Sequence, residues 1–183
     1  MITLVTGSAG SGKSLFAEGL AMKYPGNRYY IATMKVMDEE GMARVKKHRS
    51  QRAGKGFVTL EIPVAVDDAP KLMDSPQNSV VLLECAANLA GNMMHDVADI
   101  GDLCKCGGDG IKEAAGQVAA KIEALSGQVS HLYVVTSVYD IDSGDDEETV
   151  IYKKLLEQVN ITLQNMADKV FERPDDMQTG GAT

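Results

Sequence analysis

The feature that most constrains the fold of this chain is a glycine-rich segment close to its N-terminus. Residues 2–6 before it form a short apolar run, which predicts a buried strand, and the residues after it predict a helix that ends at about Lys23. The segment matches the pattern G-x-x-x-x-G-K-[ST] at every position. It reads Gly7-Ser8-Ala9-Gly10-Ser11-Gly12-Lys13-Ser14.

A glycine-rich turn between a strand and a helix lets consecutive backbone N–H groups point at phosphate oxygens. The N-terminal end of the following helix adds its dipole to the attraction. Lys13 is predicted to place its charge on the β- and γ-phosphates, and Ser14 to offer its hydroxyl to Mg²⁺. The segment therefore predicts a nucleoside triphosphate, GTP or ATP, as the ligand, but it does not identify the reaction.

The rest of the chain alternates predicted strands with predicted helices. This alternation favours an α/β fold with a mostly parallel sheet covered by helices on both faces. Residues 1–173 are predicted to form one P-loop domain and residues 174–183 a C-terminal tail. The other predicted strands are 29–33, 57–62, 79–84, 131–136 and 169–171; the other predicted helices are 38–52, 67–73, 86–96, 111–125 and 147–167; residues 99–110 are predicted to be a loop.

Ligands of such sheets bind at the carboxyl ends of the strands, where a second carboxylate is expected to support Mg²⁺. Glu84 ends the most apolar predicted strand and is the favoured candidate. Asp140 and Asp142, which follow the strand at 131–136, are its rivals. The alternative for Glu84 is that it only caps the next helix. A carboxylate at the end of a buried strand is costly without a cation, which favours the metal site.

A basic segment stands out in this acidic chain. Residues 41–55 contain six Lys or Arg and no Asp or Glu. Arg44, His48 and Arg52 are four residues apart, so a helix would place them on one face. Neighbouring cations keep a histidine neutral and attract a triphosphate, a combination that suits attack of His48 on the α-phosphorus with release of pyrophosphate. A solvated basic face with an incidental histidine explains the same pattern, and residue types alone leave both open.

Composition excludes several classes of protein. The chain has 183 residues and a net charge of −8, and residues 96–183 carry 17 acidic against seven basic residues, so general nucleic-acid binding is not expected. No apolar run approaches the ~20 residues of a membrane span, and no signal peptide is apparent. Three cysteines favour a reducing cytoplasm. Cys104 and Cys106 are interpreted as reduced thiols, since tetrahedral zinc needs four ligands.

The phosphate-binding loop, Glu84 and the basic segment around His48 resemble those of the bifunctional cobinamide kinase / cobinamide-phosphate guanylyltransferases of cobalamin biosynthesis. The resemblance covers residues 1 to about 96 and continues more weakly to about 171. It depends on the phosphate-binding loop at the N-terminus and on several short motifs. These are Tyr30-Ile31-Ala32-Thr33, Met37-Asp38-Glu39-Glu40, Ala43-Arg44-Val45-Lys46-Lys47-His48-Arg49, Leu82-Leu83-Glu84-Cys85 and the later Asn92.

The resemblance implies a RecA-like homotrimer with two activities. His48 would be guanylylated from GTP and pass GMP to cobinamide phosphate, while the P-loop would serve phosphorylation of cobinamide. Lys13, Glu84 and His48 are then the candidate catalytic residues, and Ser14 and Glu84 would hold Mg²⁺, partly through water. The candidate nucleotide contacts are Gly7, Ser8, Ala9, Gly10, Ser11, Gly12, Lys13, Ser14, Thr33, Met34, Lys35, Arg49, Ser50, Gln51, Arg52 and Glu84.

The sequence departs from the family at several points. Gly10 stands where the family usually has Arg, and residues 137–144 replace the family's Asn-Glu-Val-Gly-x-Gly. The family's Val-Asn-Gln survives as Val159-Asn160 only, and the closing apolar strand gives way to an acidic tail. Two alternatives therefore stand beside the family's activities: another P-loop small-molecule kinase, which would act on a different acceptor, and a non-catalytic nucleotide-binding homologue.

Overall fold

A single six-stranded sheet organises the computed structural model, which describes residues 1–35 and 54–173. The strand order is β3-β2-β4-β5-β1-β6, and every neighbouring pair is parallel. The strands β1 and β4 are buried along almost their whole length, as expected for the interior of a sheet covered on both faces. The strands are β1 (Ile2–Gly7), β2 (Asn27–Ala32), β3 (Phe57–Glu61), β4 (Ser79–Glu84), β5 (His131–Val135) and β6 (Lys169–Arg173).

Helices cover both faces of this sheet. On one face, α1 packs on a small apolar cluster with Val5, Tyr30, Leu82 and Val135. On the other face, the remaining helices bury a larger core built on the alternate strand residues. The helices are α1 (Lys13–Ala21), α2 (Ala86–Asp96), α3 (Ala98–Lys105), α4 (Gly108–Ser126) and α5 (Glu147–Met166). The predicted fold class, an α/β P-loop fold with a parallel sheet covered by helices on both faces, is confirmed.

The handedness of the connections explains which face each helix covers. Parallel crossovers are almost always right-handed, so the direction of a crossover along the sheet decides the face on which its helix lies. The crossover from β1 to β2 moves toward the β3 edge and carries α1. The crossovers from β4 to β5 and from β5 to β6 move the opposite way and carry α2 to α5. The phosphate-binding loop and α1 therefore lie on the less crowded face among the described residues.

Most predicted elements are confirmed within about two residues at their ends. The strand β4 and the helix α2 have the predicted bounds, and a 3₁₀ helix at Val66–Leu72 replaces the predicted short helix. The predicted helix at 38–52 and the tail at 174–183 lie outside the described residues. Among the helices of the described ranges, none is long and apolar enough to cross a membrane.

The predicted loop at 99–110 is wrong, because α3 and the first residues of α4 occupy it. Ile100 and Cys104, one helical turn apart, are buried in the core. Two of the four glycines in this range serve close packing: a Cβ added at Gly101 would lie 2.8 Å from the Met94 carbonyl oxygen, and one at Gly110 would lie 2.2 Å from the Leu103 carbonyl oxygen. Glycine here permits close contact between helices rather than a turn.

Core packing on the face covered by α2 to α5 can be tested with two leucines of different exposure. Leu89 of α2 is fully buried, whereas Leu72 is 64% exposed. We expect Leu89→Ala to lower the free energy of unfolding by about 2–5 kcal/mol, because it removes buried methyl groups and leaves a cavity. The matched change Leu72→Ala should cost less than about 0.5 kcal/mol. Urea unfolding measures both, and equal costs would contradict the core described here.

Close contact between β1 and β6 can be tested at two glycines. A Cβ added at Gly7 would lie 2.5 Å from the Arg173 carbonyl oxygen and 2.6 Å from Ser11 Oγ, while nothing lies within 4 Å at Gly19 of α1. Gly7→Ala should therefore lower the free energy of unfolding by about 1–3 kcal/mol. Gly19→Ala should raise it by about 0.5–1 kcal/mol, since alanine favours a helix. If chemical unfolding showed Gly19→Ala to be less stable than Gly7→Ala, this packing would be excluded.

Candidate active site

The phosphate-binding loop joins the end of β1 to the start of α1. Gly10 and Gly12 have positive φ angles of 81° and 73°, a backbone conformation that residues with a Cβ adopt at a cost. Gly12 directly precedes α1 and has no side chain with which to cap it. The first N–H groups of the helix consequently face the loop, where an anion can accept their hydrogen bonds.

Lys13, the first residue of α1, is nearly buried inside this loop. Its Nζ donates a hydrogen bond to the Ser8 carbonyl oxygen over 2.7 Å, so the side chain folds back across the loop. Burial lowers the pKa of Lys13 from its usual range, and the charge of nearby Glu84 acts in the opposite direction. A phosphate group bound in the loop would give this ammonium group an anionic partner in place of a carbonyl.

The Glu84 carboxylate, at the end of β4, connects the phosphate-binding loop with β2. Ser14 Oγ donates a hydrogen bond to Glu84 Oε1 over 2.5 Å, and Tyr30 Oη donates one to Oε2 over 3.0 Å. Both oxygens of the carboxylate are thus fixed by hydroxyl groups. Although β5 separates β1 from β4, the parallel register puts the strand ends level, so the two residues meet. The sequence reasoning named Ser14 and Glu84 but missed the part of Tyr30, which alternation along β2 could have placed on this face.

These oxygen atoms suit a magnesium ion. A hydroxyl oxygen and a carboxylate oxygen are hard ligands of the kind that Mg²⁺ prefers, and the Ser14–Glu84 contact places one of each beside the phosphate-binding loop. The rival acids Asp140 and Asp142 are exposed, and Asp142 is 3.7 Å from Lys153 Nζ. Of the three acids, Glu84 is the one whose described contacts include Ser14 of the loop.

The cap of α2 is provided by the residue after Glu84. Cys85 Sγ accepts a hydrogen bond from the Asn88 N–H group over 3.4 Å, so the helix-cap alternative for Glu84 is not supported. Burial raises the pKa of the Cys85 thiol to about 11. The thiol is therefore protonated at neutral pH and is not an activated nucleophile. The peptide bond between Glu84 and Cys85 is cis.

The residues after β2 contact both ends of α2. Thr33 is fully buried, and its Oγ1 accepts a hydrogen bond from the Cys85 N–H group over 2.7 Å and donates one to the Cys85 carbonyl oxygen over 2.8 Å. Lys35 forms an ion pair with Asp96 at the end of α2. Thr33 therefore holds the end of β2 against the chain that follows Glu84, and Met34 lies between these two anchored residues.

The candidate nucleophile and its neighbours lie outside the described residues. They are His48, Arg49, Ser50, Gln51 and Arg52. The described chain resumes at Gly54, and Lys55 forms an ion pair with Glu18, a buried residue of α1. The last cation of the basic segment is thus attached to the helix that carries Lys13 and Ser14.

The chain after β5 is held against the first glycine of the loop. Val138 N–H donates to the Gly7 carbonyl oxygen over 3.3 Å. Asn160 of α5, which is buried, accepts a hydrogen bond from Thr136 Oγ1 over 2.7 Å and donates one to the Ser137 carbonyl oxygen over 2.9 Å. Asn160 therefore positions the start of the segment that departs from the family's sequence, a role that the sequence analysis did not predict.

Comparison with known proteins gives matches of two kinds. Two proteins named bifunctional adenosylcobalamin biosynthesis protein CobU are similar in sequence: the one from Escherichia coli is 38% identical over 96 residues, 52% of this chain and 51% of that protein. The one from Salmonella typhimurium is 33% identical over 99 residues, 51% of this chain and 50% of that protein. The chain spans about half the length of these curated relatives. A crystal structure of the RadB recombinase matches 84% of this chain and 70% of its own, with 16% identity and a TM-score of 0.41.

A sequence model of a whole family gives the broadest match. The model described as cobinamide kinase / cobinamide phosphate guanyltransferase matches residues 3–173, which include the phosphate-binding loop, Glu84 and Asn160. This match extends through the region after residue 96, where the motifs alone gave only a weak resemblance. The chain therefore belongs to the cobinamide kinase / cobinamide phosphate guanyltransferase family.

Proposed function

We propose that this protein is a nucleotide-dependent transferase of cobalamin biosynthesis that phosphorylates cobinamide and transfers GMP from GTP to cobinamide phosphate. Membership of the family supports both activities. The observation that carries the proposal is the contact between Ser14 and Glu84 beside the buried Lys13. This arrangement supplies a cation, a hydroxyl and a carboxylate at one point of a phosphate-binding loop, which phosphoryl transfer requires.

In the proposed kinase reaction, the loop and Lys13 hold the phosphate chain of ATP or GTP. A hydroxyl oxygen of cobinamide attacks the γ-phosphorus, the bond from that phosphorus to the β–γ bridging oxygen breaks, and the nucleoside diphosphate leaves while the hydroxyl proton passes to water. Ser14 and Glu84 would hold Mg²⁺, which supplies charge neutralisation on the phosphates when it is bound. Tyr30 keeps the Glu84 carboxylate oriented toward Ser14 through its own hydrogen bond.

In the proposed guanylyl transfer, His48 is the covalent nucleophile. A ring nitrogen attacks the α-phosphorus of GTP, pyrophosphate leaves, and GMP is attached to the ring through a P–N bond. A phosphate oxygen of cobinamide phosphate then attacks the same phosphorus, and the P–N bond breaks to restore the histidine. The ion pair between Lys55 and Glu18 supports this role, because it joins one end of the basic segment to the helix of the phosphate-binding loop.

The proposal also includes contacts that depend on the family resemblance. Met34, Arg49, Ser50, Gln51 and Arg52 would contribute to nucleotide binding, while Thr33 and Lys35 would position this region through their bonds to Cys85 and Asp96. The active protein would be a homotrimer in the cytoplasm.

The role of Glu84 can be tested through the magnesium dependence of nucleotide binding. Glu84→Gln keeps the size of the side chain and removes its charge. We expect it to reduce the gain in ATP affinity caused by Mg²⁺ by about tenfold or more, the effect of losing a charged ligand. Calorimetric titrations with and without Mg²⁺ measure this gain. Glu123→Gln, at an exposed position on α4, is the control and should leave it unchanged. An unchanged gain in Glu84→Gln would contradict the metal site.

The role of His48 can be tested with GTP labelled at the α-phosphate. We expect the protein to retain covalent label that is lost in acid, because a P–N bond to histidine is acid-labile. His48→Asn should abolish the label, and His95→Asn, a change at an exposed histidine of α2, should not. Equal labelling of His48→Asn would refute the nucleophile.

The labelling result, together with a nucleotide-turnover assay, distinguishes the alternatives. Nucleotide turnover on an acceptor without covalent label would favour a different P-loop small-molecule kinase, an outcome for which the departure at residues 137–144 provides a reason. Val138, the second residue of that segment, contacts the loop. Tight nucleotide binding without turnover on cobinamide or any other acceptor would favour a non-catalytic homologue.

A further inference from the structure

The edge strand β6 brings an arginine to the phosphate-binding loop. Arg173, the last residue of β6, pairs in register with Gly7, the first residue of the loop. The approach is close, since a Cβ added at Gly7 would lie 2.5 Å from the Arg173 carbonyl oxygen and 3.3 Å from its Cβ. Arg173 was not among the residues that the sequence motifs indicated. Its position depends on the pairing of two strands that are far apart in the sequence.

The side chain of Arg173 lies on the face of the sheet that carries α1. Lys169, Phe171 and Arg173 alternate along β6 and share one face. The ring of Phe171 contacts Phe16 of α1 edge-on, with 5.2 Å between ring centroids. The guanidinium carbon of Arg173 lies 5.1 Å from the centroid of the same Phe16 ring. The guanidinium group is therefore held over the first turn of α1, two residues beyond Ser14.

Two buried polar atoms at and beside Arg173 have no hydrogen-bond partner among the described residues. Its Nε is buried and makes no hydrogen bond there, and Ser11 Oγ, also buried, makes none either. Ser11 Oγ lies on the same side of Gly7 as Arg173, 2.6 Å from the position of the added Cβ. Buried polar groups normally have partners, so unpaired ones beside a phosphate-binding loop point to a ligand oxygen.

We propose that Arg173 binds the phosphate chain of the nucleotide, on the side of the α-phosphate; this inference rests on the proposed binding of nucleotides by the loop. Lys13 reaches the β- and γ-phosphates from inside such a loop, while the loop backbone and the start of the helix hold the α- and β-phosphates. Arg173 lies over the start of the helix. A guanidinium group presents a planar fork of donors that matches phosphate oxygens, and stacking on Phe16 limits its freedom beforehand.

The inference can be tested by titrating the whole protein with ADP and with ATP. Arg173→Ala should weaken both by about tenfold or more, because a charged hydrogen bond to phosphate is lost in each case. The loss should be equal for the two ligands, since they share the α-phosphate. Arg173→Lys should bind with intermediate affinity, because it keeps the charge but not the fork. Lys169→Ala is the matched control: it removes one exposed cation from the same face of β6 and should change affinity less than twofold.

A second measurement separates ligand contact from a structural role. In protein labelled with ¹⁵N-arginine, the Arg173 Nε–H signal, assigned by its absence in Arg173→Lys, should shift when ADP binds. An unmoved signal, or an Arg173→Ala variant that binds as tightly as Lys169→Ala, would overturn the role of Arg173 while leaving the proposed function standing. Failure of the unchanged protein to bind either nucleotide would overturn both.

Discussion

The parallel direction of all six strands is the constraint on which the rest of this structure depends. It puts the carboxyl ends of β1, β4 and β5 at one edge of the sheet, and the register sets Glu84 level with Val135 and Val135 level with Val5. The Glu84 carboxylate can then reach Ser14 although a strand lies between them. The nucleotide chemistry proposed for this edge depends on strand direction, because an antiparallel neighbour would have carried its acid to the opposite edge.

The two faces of the sheet carry different kinds of contact. The face with α2 to α5 holds the larger apolar core, which supplies most of the hydrophobic stabilisation among the described residues. The face with α1 holds a small cluster and the polar contacts of Lys13, Glu84 and Tyr30. Polar groups can be concentrated on the α1 face because the face with α2 to α5 already buries most of the apolar surface.

Most of the secondary structure could be predicted because it depends on local pattern. Apolar runs such as β4 and the apolar spacing along α4 indicate their own elements. The failure at residues 99–110 has a physical cause: a glycine in a helix and a glycine in a loop look alike in sequence. Only the approach of the Met94 and Leu103 carbonyl oxygens to Gly101 and Gly110 shows which is present.

The sequence by itself determined the phosphate-binding loop, the fold class and the pairing of Ser14 with an acid, because each follows from short-range spacing or from the order of strands and helices. The tertiary structure decided which acid it was and added Tyr30, Asn160 and Arg173 around the site. Those residues come from elements far apart in the chain, and no local motif shows that they lie close together. Their roles arise from strand register and helix packing, which short-range sequence patterns do not specify.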